Sequence, residues 1–296
     1  MKMDHIGHIK GNIAINTNIK SANILDGAYR SIHKGKSLNF EELREYNLGD
    51  SVKDIDWRAS ARSMNLLVRE YIAEKKHNIM FVMDSKYAMN ANSTDDDIKR
   101  DVAIDSAGTL AYLAYKNGDY VGAIYVKNDA PVFFPLRQTL YSIENFLTFY
   151  DEDLKNQNIK QKYTNSINYS LKYVADYINK RMVVFIVTDL SGMEEISEEY
   201  LKTLTYRNDV MMIIIKDIDL YSSKSYDLDR RKYFSSMFLK NKHLVEVEKE
   251  EKQKVFNQYE KAFSKYKITT VMIDSRENVI PKIIELLERN SYANIR

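Results

Sequence analysis

The sequence predicts a doubly wound α/β domain from residue 78 onward, built on a mostly parallel six-stranded sheet. Short apolar runs alternate with longer segments of helical periodicity, and this alternation is typical of β–α–β units. Two of the runs are separated only by residues 127–130, which is too short a link for a crossover helix. These two runs should therefore pair as an antiparallel hairpin at one edge of the sheet.

Each predicted element follows from a local pattern. Residues 79–83 form an apolar run that ends at Asp84, as a buried parallel strand does. Residues 98–117 carry apolar side chains at helical spacing and end at an Asn-Gly pair. Residues 217–243 have no clean period and are interpreted as a partly ordered surface insertion. The predicted strands are 79–83, 120–126, 131–136, 182–187, 210–215 and 268–273, and the predicted helices are 98–117, 139–150, 165–180, 193–206, 246–265 and 279–289.

Residues 1–77 do not follow this alternation and are predicted to form an irregular N-terminal segment with some β-structure. Ile13 and Ile15 lie two positions apart, as in a short strand, and residues 66–72 indicate a second and clearer strand. That strand and Trp57, a large apolar anchor, indicate that the segment packs on the main domain, residues 78–296.

The composition excludes several classes of site and partner. The chain has no cysteine, which removes disulfides, thiolate nucleophiles and cysteine-ligated zinc. Its five histidines are scattered, and it has neither a phosphate-binding glycine loop nor a nucleophile elbow, so no enzyme is expected. A formal net charge of +2 does not favour nucleic acid. No apolar run approaches the roughly 20 residues that span a bilayer, so we expect a soluble, cytoplasmic protein.

A charged motif occupies residues 35–62 and reads GKSLNFEELREYNLGDSVKDIDWRASAR. It resembles, almost position for position, the signature of a bacterial family known as domain of unknown function fifty-eight, and the match continues at residues 68–70 and 116–122. Members of that family are similar to von Willebrand factor A proteins and commonly accompany AAA+ ATPases of the MoxR type. The resemblance therefore implies a von Willebrand factor A-like fold and, as partner, a MoxR-type ATPase or its client. The matching elements within the motif are Phe40, Leu43-Arg44-Glu45-Tyr46, Gly49-Asp50, Ile55-Asp56-Trp57 and Ala61-Arg62.

Two interpretations of the charged motif are open at this point. In the structural one, its arginines form bidentate pairs with neighbouring carboxylates and pin an irregular loop to the sheet. In the functional one, the motif is a docking surface for a partner, because arginine and tryptophan are favoured at binding hot spots. The residues assigned to this candidate surface are Arg44, Glu45, Tyr46, Asp50, Asp56, Trp57, Arg58 and Arg62.

The second candidate site lies where ligands bind in a doubly wound sheet, beyond the carboxyl ends of the strands, here after Asp84 and Asp189. The resemblance implies a metal-ion-dependent adhesion site at this place, whose first loop reads Asp-x-Ser-x-Ser in von Willebrand factor A domains. Residues 84–88 instead read DSKYA, so Lys86 and Ala88 stand at the two hydroxyl positions. Because nearby carboxylates repel each other unless a cation lies between them, we expect the ammonium of Lys86 to replace the metal and join Asp84 to Asp189.

Two other arrangements of this site are open. In one, Lys86 points into solvent and Asp84 or Asp189 caps the following helix. In the other, Mg²⁺ binds in spite of the substitutions, through oxygen atoms of Asp84, Ser85 and Asp189. No cofactor is expected in the first arrangement, and Mg²⁺ is expected in the second.

The sequence favours a non-enzymatic adaptor that binds another protein through the loops 84–97 and 189–193 and the segment 41–70. The alternatives are a Mg²⁺-dependent protein-binding module and a carboxylate-based hydrolase that uses the same crevice. On the leading interpretation, we expect charge reversal at Asp84 or Arg58 to weaken partner binding and to leave the fold intact.

Overall fold

A computed structural model describes residues 4–16, 24–25, 27–29, 42–47, 49–70, 76–157, 166–218, 226–227, 232–233 and 242–295. The chain divides into two compact units, a larger one of Met1–Ile32 with His77–Arg296 and a smaller one of His33–Lys76. The sequence placed the boundary at residue 77, whereas Met1–Ile32 group with the larger unit, and the described side chains of Ile9, Leu25 and Tyr29 enter its core.

The strands and helices follow one another along the chain as the alternating pattern predicts. The strands are β1 (Glu42–Glu45), β2 (Leu67–Glu70), β3 (Asn78–Met83), β4 (Tyr120–Lys127), β5 (Ala130–Arg137), β6 (Val183–Asp189), β7 (Asp209–Ile215), β8 (Tyr226–Asp227), β9 (Lys232–Tyr233) and β10 (Thr269–Ile273). The α-helices are α1 (His5–Asn16), α2 (Trp57–Ser63), α3 (Lys99–Lys116), α4 (Leu140–Lys155), α5 (Ser166–Tyr177), α6 (Leu190–Glu195), α7 (Glu198–Arg207), α8 (Lys242–Ser264) and α9 (Val279–Ile295).

The larger unit is organised around a six-stranded sheet in the order β10-β7-β6-β3-β4-β5. Every neighbouring pair in it is parallel except β4 and β5, which form the antiparallel edge hairpin. The prediction of a doubly wound, mostly parallel sheet is therefore confirmed. From β3 the chain moves outward to β4 and later returns to β6 on the other side of β3, so the carboxyl ends of β3 and β6 flank the point where ligands bind in such sheets.

Both faces of the sheet are buried, which explains the continuous apolar runs of the central strands. Successive side chains of β3 point to opposite faces, with Ile79, Phe81 and Met83 in one core cluster and Met80 and Val82 in the other. The first cluster is covered by α1, α3, α4 and α9, and the second by α5, α7 and α8. The two layers of helices hold the sheet rigidly from both sides.

The N-terminal residues form a helix, so the strand expected around Ile13 and Ile15 is wrong. The apolar residues Ile6, Ile9 and Ile13 recur at helical spacing, and the first two are buried against the core. The carboxylate of Glu144 accepts hydrogen bonds from the backbone N–H groups of His5 and Ile6, at 2.9 and 2.8 Å, and so satisfies free donors at the start of α1. Tertiary packing and capping therefore outweigh the short period-two pattern.

Other differences concern element limits. The strand predicted at 66–72 is present as Leu67–Glu70, and residues 71–72 lie outside the described residues. Most of the insertion predicted at 217–243 also lies outside them, as does Phe40 of the charged motif.

The edge hairpin ends the sheet with an irregular strand. Its turn places Asn128 and Asp129 at φ values of 51° and 58°, the left-handed region that a tight hairpin turn requires. The register shifts between Val121 and Ala123, which is the mark of a β-bulge. A Cβ atom at Gly122 would lie 2.8 Å from the carbonyl oxygen of Phe134, so the two strands approach too closely there for any larger residue. The strand β5 itself contains two prolines.

None of the helices in the described parts of the chain combines the length and the apolar character needed to cross a membrane.

Candidate functional site

Asp84 lies at the end of β3 and is completely buried. Its Oδ1 accepts hydrogen bonds from the backbone N–H of Lys86 and from the Ser166 hydroxyl, both at 3.0 Å. Its Oδ2 accepts a hydrogen bond from the Thr188 hydroxyl at 2.6 Å, and its backbone carbonyl accepts one from the Tyr150 hydroxyl at 2.5 Å. The carboxylate is thus held in place by three donors from different segments, and the Tyr150 hydroxyl holds the backbone of the same residue.

Asp189 lies at the end of the neighbouring strand β6 and caps the short helix that follows. Its Oδ1 accepts a hydrogen bond from the backbone N–H of Gly192 at 2.8 Å. Its Oδ2 lies 2.6 Å from the ammonium of Lys99, the first residue of α3, which is only 1% exposed. The same ammonium also contacts the carboxylate of Asp217, just beyond the end of β7. We call Asp84, Asp189, Lys99 and Asp217 the carboxyl-end cluster.

Lys86, expected to join the two aspartates, has a different partner. Its ammonium is buried and lies 2.6 Å from Glu195 Oε2, an ion pair without the geometry of a hydrogen bond. Ser85 donates its hydroxyl hydrogen to the carbonyl oxygen of Val126 at 2.6 Å, away from both aspartates. Ala88 lies in a 3-10 turn and contributes no side-chain ligand. The sequence-predicted residues therefore meet at one edge of the sheet, but the cation that contacts Asp189 is Lys99.

The pKa values of the cluster follow from burial and from the charges within it. Burial raises the pKa of Asp84, and the charge of Asp189 raises it further. Burial alone would raise the pKa of Asp189 too, but the ammonium of Lys99 outweighs it and lowers this pKa. Burial would lower the pKa of Lys99, yet the carboxylates of Asp189 and Asp217 raise it above its ordinary value. The stable charge state of the centre is therefore an ion pair between Lys99 and Asp189.

This arrangement does not fit the donor set of Mg²⁺, which prefers near-octahedral oxygen ligands. Both oxygens of Asp84 already accept hydrogen bonds, and one oxygen of Asp189 is held by an ammonium. A Cβ atom at Gly192 would lie 1.9 Å from Thr188 Oγ1 and 2.4 Å from Asp84 Oδ2, so the cluster is closely packed. Within the described ranges, no three His, Cys, Asp or Glu side chains are grouped so as to hold a metal ion.

Several members of the site could not be recognised in the sequence. Thr188 directly precedes Asp189, and a hydroxyl beside a strand-end carboxylate is a weak signal. Lys99 follows an acidic run that is typical of an ordinary helix start, so nothing in its neighbours marks it as buried. Ser166 and Asp217 meet the site only through tertiary structure.

The smaller unit shows what the charged motif does locally. Strand β1 pairs antiparallel with β2, and Arg44 on β1 forms a bidentate pair with Asp50, at 2.6 and 2.7 Å. The hydrogen bond from Arg44 lowers the pKa of Asp50 to about 2, and a second one from the backbone N–H of Asn47 adds to the effect. Asp56 caps α2 by accepting hydrogen bonds from the backbone N–H groups of Arg58 and Ala59, both at 3.0 Å.

Two further motif residues also support this local structure. The carboxylate of Glu45 accepts a hydrogen bond from the Asn65 side chain at 2.8 Å. The backbone N–H of Tyr46 donates to the carbonyl oxygen of Leu66 at 2.8 Å. Together with Arg44, Asp50 and Asp56, these residues hold the smaller unit together locally, and we call these five the clasp residues.

Other motif residues remain on the surface of the smaller unit. Trp57 is 63% exposed and Met64 is 98% exposed, which is unusual for large apolar side chains. Arg58 and Arg62 are exposed as well, one turn apart on α2. We call Trp57, Arg58, Arg62 and Met64 the α2 surface.

A cavity of about 260 Å³ opens beside Ser85, on the side of β4. Its lining includes Tyr125, Lys127, Asp153 and Gln157, and both Tyr125 and Lys127 donate hydrogen bonds to the carboxylate of Asp153. Asp84 does not line this cavity. The carboxyl group of Asp84, with its raised pKa, is therefore not part of this cavity.

Comparison with solved structures finds chains of similar extent at low identity. One is an aerotolerance-related membrane protein from Bacteroides fragilis NCTC 9343 with multiple mutations to serines, 15% identical, covering 72% of this chain and 99% of that chain with a TM-score of 0.40. Another is the conserved hypothetical protein BatB from Bacteroides thetaiotaomicron, 13% identical, covering 73% and 99% with a TM-score of 0.42.

Curated relatives match a shorter stretch. The uncharacterized protein Rv1480 of Mycobacterium tuberculosis (strain ATCC 25618 / H37Rv) is 27% identical over 114 residues, which is 38% of this chain and 36% of that protein. The uncharacterized protein Mb1516 of Mycobacterium bovis (strain ATCC BAA-935 / AF2122/97) matches with the same identity and coverage. The match thus spans about a third of the length of these relatives.

The family model described as "Protein of unknown function DUF58" matches residues 42–220. The matched range is more than half of the 296 residues. It contains β1, α2 and β2 of the smaller unit and the sheet as far as β7, and with them the α2 surface and the carboxyl-end cluster. The chain is a member of the DUF58 family.

Proposed function

We propose that this protein is a non-enzymatic, cytoplasmic protein-binding module that works with a MoxR-type AAA+ ATPase or with a client of that ATPase. The partner follows from the resemblance described above and from no single residue, so it is an analogy at family level. On this proposal the carboxyl-end cluster is a degenerate metal-ion-dependent adhesion site, which shapes the edge of the sheet without a bound ion.

The observation that carries the proposal is that some residues of the charged motif hold the smaller unit together while others are exposed on its surface. Arg44, Asp50 and Asp56 make the hydrogen bonds that hold the smaller unit together. Trp57 and Arg58, which follow Asp56 directly, are exposed although the motif is dense in possible partners. A large aromatic side chain beside arginines on a rigid, capped helix is the composition of a binding hot spot.

The carboxyl-end loops of the larger unit carry exposed acidic side chains. Asp84 and Asp189 are too deeply buried to touch a partner, but Asp95, Asp96 and Glu194 nearby are exposed. Charge reversal at Asp84 would place an unpaired charge among fixed donors and would unfold the protein, contrary to the expectation from sequence. Arg58 is the appropriate residue for a test of partner binding.

The non-enzymatic part of the proposal is supported by the state of the carboxylates. A carboxylate-based hydrolase needs an acid with a raised pKa that can reach its substrate. Asp84 has the raised pKa, but it is completely buried and its oxygens are occupied by hydrogen-bond donors. Among the described residues, the acid whose pKa is raised is therefore one that a substrate could not reach.

The test is a binding measurement between the full chain and a purified MoxR-type ATPase from the same organism, by biolayer interferometry. We expect Trp57→Ala and Arg58→Glu each to weaken binding by about tenfold or more, because truncated hot-spot residues typically cost 2 kcal/mol or more. The matched controls are Tyr206→Ala and Lys180→Glu, an aromatic residue and a lysine that are exposed on the larger unit. If the α2-surface variants bind as the wild type does, this surface is not the docking site.

A further inference from the structure

We propose that Lys99 is the resident cation of the carboxyl-end cluster, a side chain that permanently takes the place that a divalent metal ion has in metal-dependent von Willebrand factor A domains. The cluster is then assembled on folding and is indifferent to metal ions and chelators.

The backbone around Lys99 is arranged to bring its ammonium to this place. Lys99 donates its backbone N–H to the carbonyl oxygen of Ala91 at 2.9 Å, which closes the loop after the 3-10 turn. The same loop is tied to the carboxyl ends of other strands. The backbone N–H of Ile218 donates to the carbonyl oxygen of Asn92 at 3.0 Å, and the Ser93 hydroxyl donates to the carbonyl oxygen of Asp274. These hydrogen bonds cross the edge of the sheet and fix the start of α3 next to Asp189.

The side chain of Lys99 ends between two carboxylates. Its ammonium is 2.6 Å from Asp189 Oδ2 and also contacts Asp217, while its side chain is only 1% exposed. A fully buried lysine is rare unless it is paired, and this one is paired on both sides. Asp217 is 34% exposed, so the second carboxylate reaches the ammonium from the solvent side and closes the cluster.

The buried charges of the edge are paired without an added ion. Lys99 offsets the buried charge of Asp189, Lys86 is matched by Glu195, and the further carboxylate, Asp217, is 34% exposed to solvent. The carboxyl group of Asp84 is satisfied by hydroxyl and backbone donors, and burial favours its neutral form. A divalent ion would have to displace the hydrogen-bond donors of Asp84 and approach the ammonium of Lys99, which already contacts Oδ2 of Asp189. Its binding is therefore opposed by both geometry and charge.

Thermal unfolding of the full chain tests this directly, because it needs no partner and is therefore independent of the proposed docking function. We expect the melting temperature of the wild type to be the same in millimolar Mg²⁺, in millimolar Mn²⁺ and in chelator. A resident ion would add stability that depends on its concentration. A melting temperature that rises with either metal, or falls with chelator, overturns the proposal.

The role of the ammonium is tested by Lys99→Met, which keeps most of the volume and removes the charge. We expect its melting temperature to fall by roughly 6–10 °C, since a buried carboxylate is left without its cation. Adding Asp189→Asn should restore more than about half of that loss, because the unpaired charge is removed as well. If Lys99→Met is as stable as the wild type, or if the double variant is no more stable than the single one, Lys99 is not the cation of the cluster.

Should Lys99→Met fail to fold, two other variants test the ion pair. Asp189→Asn removes the buried carboxylate, and Lys99→Arg replaces the ammonium by another cation. Lys99→Arg keeps the charge, so its fold and its indifference to metal should be retained. An Arg variant that gains stability from Mn²⁺ would contradict the proposal.

Discussion

Gly192→Ala should destabilise the protein through a single added methyl group. Gly192 lies in the first turn of α6, and a Cβ atom there would come within 1.9 Å of Thr188 Oγ1 and 2.4 Å of Asp84 Oδ2. These two atoms share a hydrogen bond of 2.6 Å. The methyl group therefore cannot be accommodated unless that hydrogen bond is broken or the backbone of α6 moves.

The magnitude follows from three contributions. Forcing a methyl group into a packed core costs about 1–3 kcal/mol. A buried carboxyl group that loses a donor adds about 1–3 kcal/mol. Alanine offsets about 0.5–1 kcal/mol, because glycine is the poorer helix former. The expected net loss in the free energy of unfolding is about 3 kcal/mol, or roughly 6–12 °C in melting temperature.

The assay is thermal unfolding followed by circular dichroism, with Gly11→Ala as the matched control. Gly11 lies in α1, and a Cβ atom there would meet nothing within 4 Å. The control should therefore gain about 0.5–1 kcal/mol from the lower entropy of its unfolded chain. Thr188→Ala removes the nearest obstacle, so the double variant with Gly192→Ala should lose less than the sum of the two single losses.

Gly192→Ala and Gly11→Ala are the same chemical change, yet we expect them to shift the melting temperature in opposite directions. If Gly192→Ala is as stable as the wild type, or shifts the melting temperature in the same direction as Gly11→Ala, the packing of Thr188 and Asp84 against α6 is not as described.

Three further predictions concern individual groups. Arg44→Met should return the pKa of Asp50 from about 2 toward its ordinary value of 3.8, as carboxyl ¹³C shifts in an NMR titration would report; an unchanged pKa would exclude Arg44 as the cause. Because the folded pKa of Asp84 is raised, its proton is lost more readily on unfolding, and its contribution to stability falls as the pH rises above the ordinary carboxyl pKa of about 4. Asp84→Asn should remove that fall, so urea denaturation should show the variant gaining on the wild type as the pH rises above about 4. Asp189 has a lowered pKa, so its stabilising contribution is lost as the pH falls below that value, and Asp189→Asn should differ from the wild type less at acid pH than at neutral pH. Tyr150→Phe should lower the free energy of unfolding by about 1–2 kcal/mol in the same assay through loss of the hydrogen bond to the Asp84 carbonyl, and no loss would mean that this bond contributes nothing.

The sheet was predictable because its signals are local. A strand buried on both faces is a continuous apolar run, and residues 79–83 and 210–215 are such runs within β3 and β7. The predicted runs at 120–126 and 131–136 are separated by only four residues, which is too short for a crossover helix, so they had to form a hairpin. Helix α1 was missed because Ile13 and Ile15 lie two positions apart, as in a strand, and the capping carboxylate of Glu144 lies far away in the sequence.

The site was predictable only in part, since its chemistry is assembled across the fold. Strand ends identified Asp84 and Asp189, which do meet at one edge. The choice between Lys86 and Lys99 as the cation near Asp189 depends on where each side chain points, and neither local pattern contains that information. Similarly, the charged motif could be recognised as a unit, but the separation into clasp residues such as Arg44 and exposed residues such as Trp57 required the structure.

The outer strand β5 also limits how this protein can associate. Two of its eight residues are prolines, Pro131 and Pro135, so at most six backbone N–H groups are available to β4 on one side and to any newcomer on the other. The bulge opposite Gly122 bends the strand further away from a flat template. Extension of the sheet at this edge by a strand from another molecule is thereby discouraged, which limits edge-to-edge aggregation through β5.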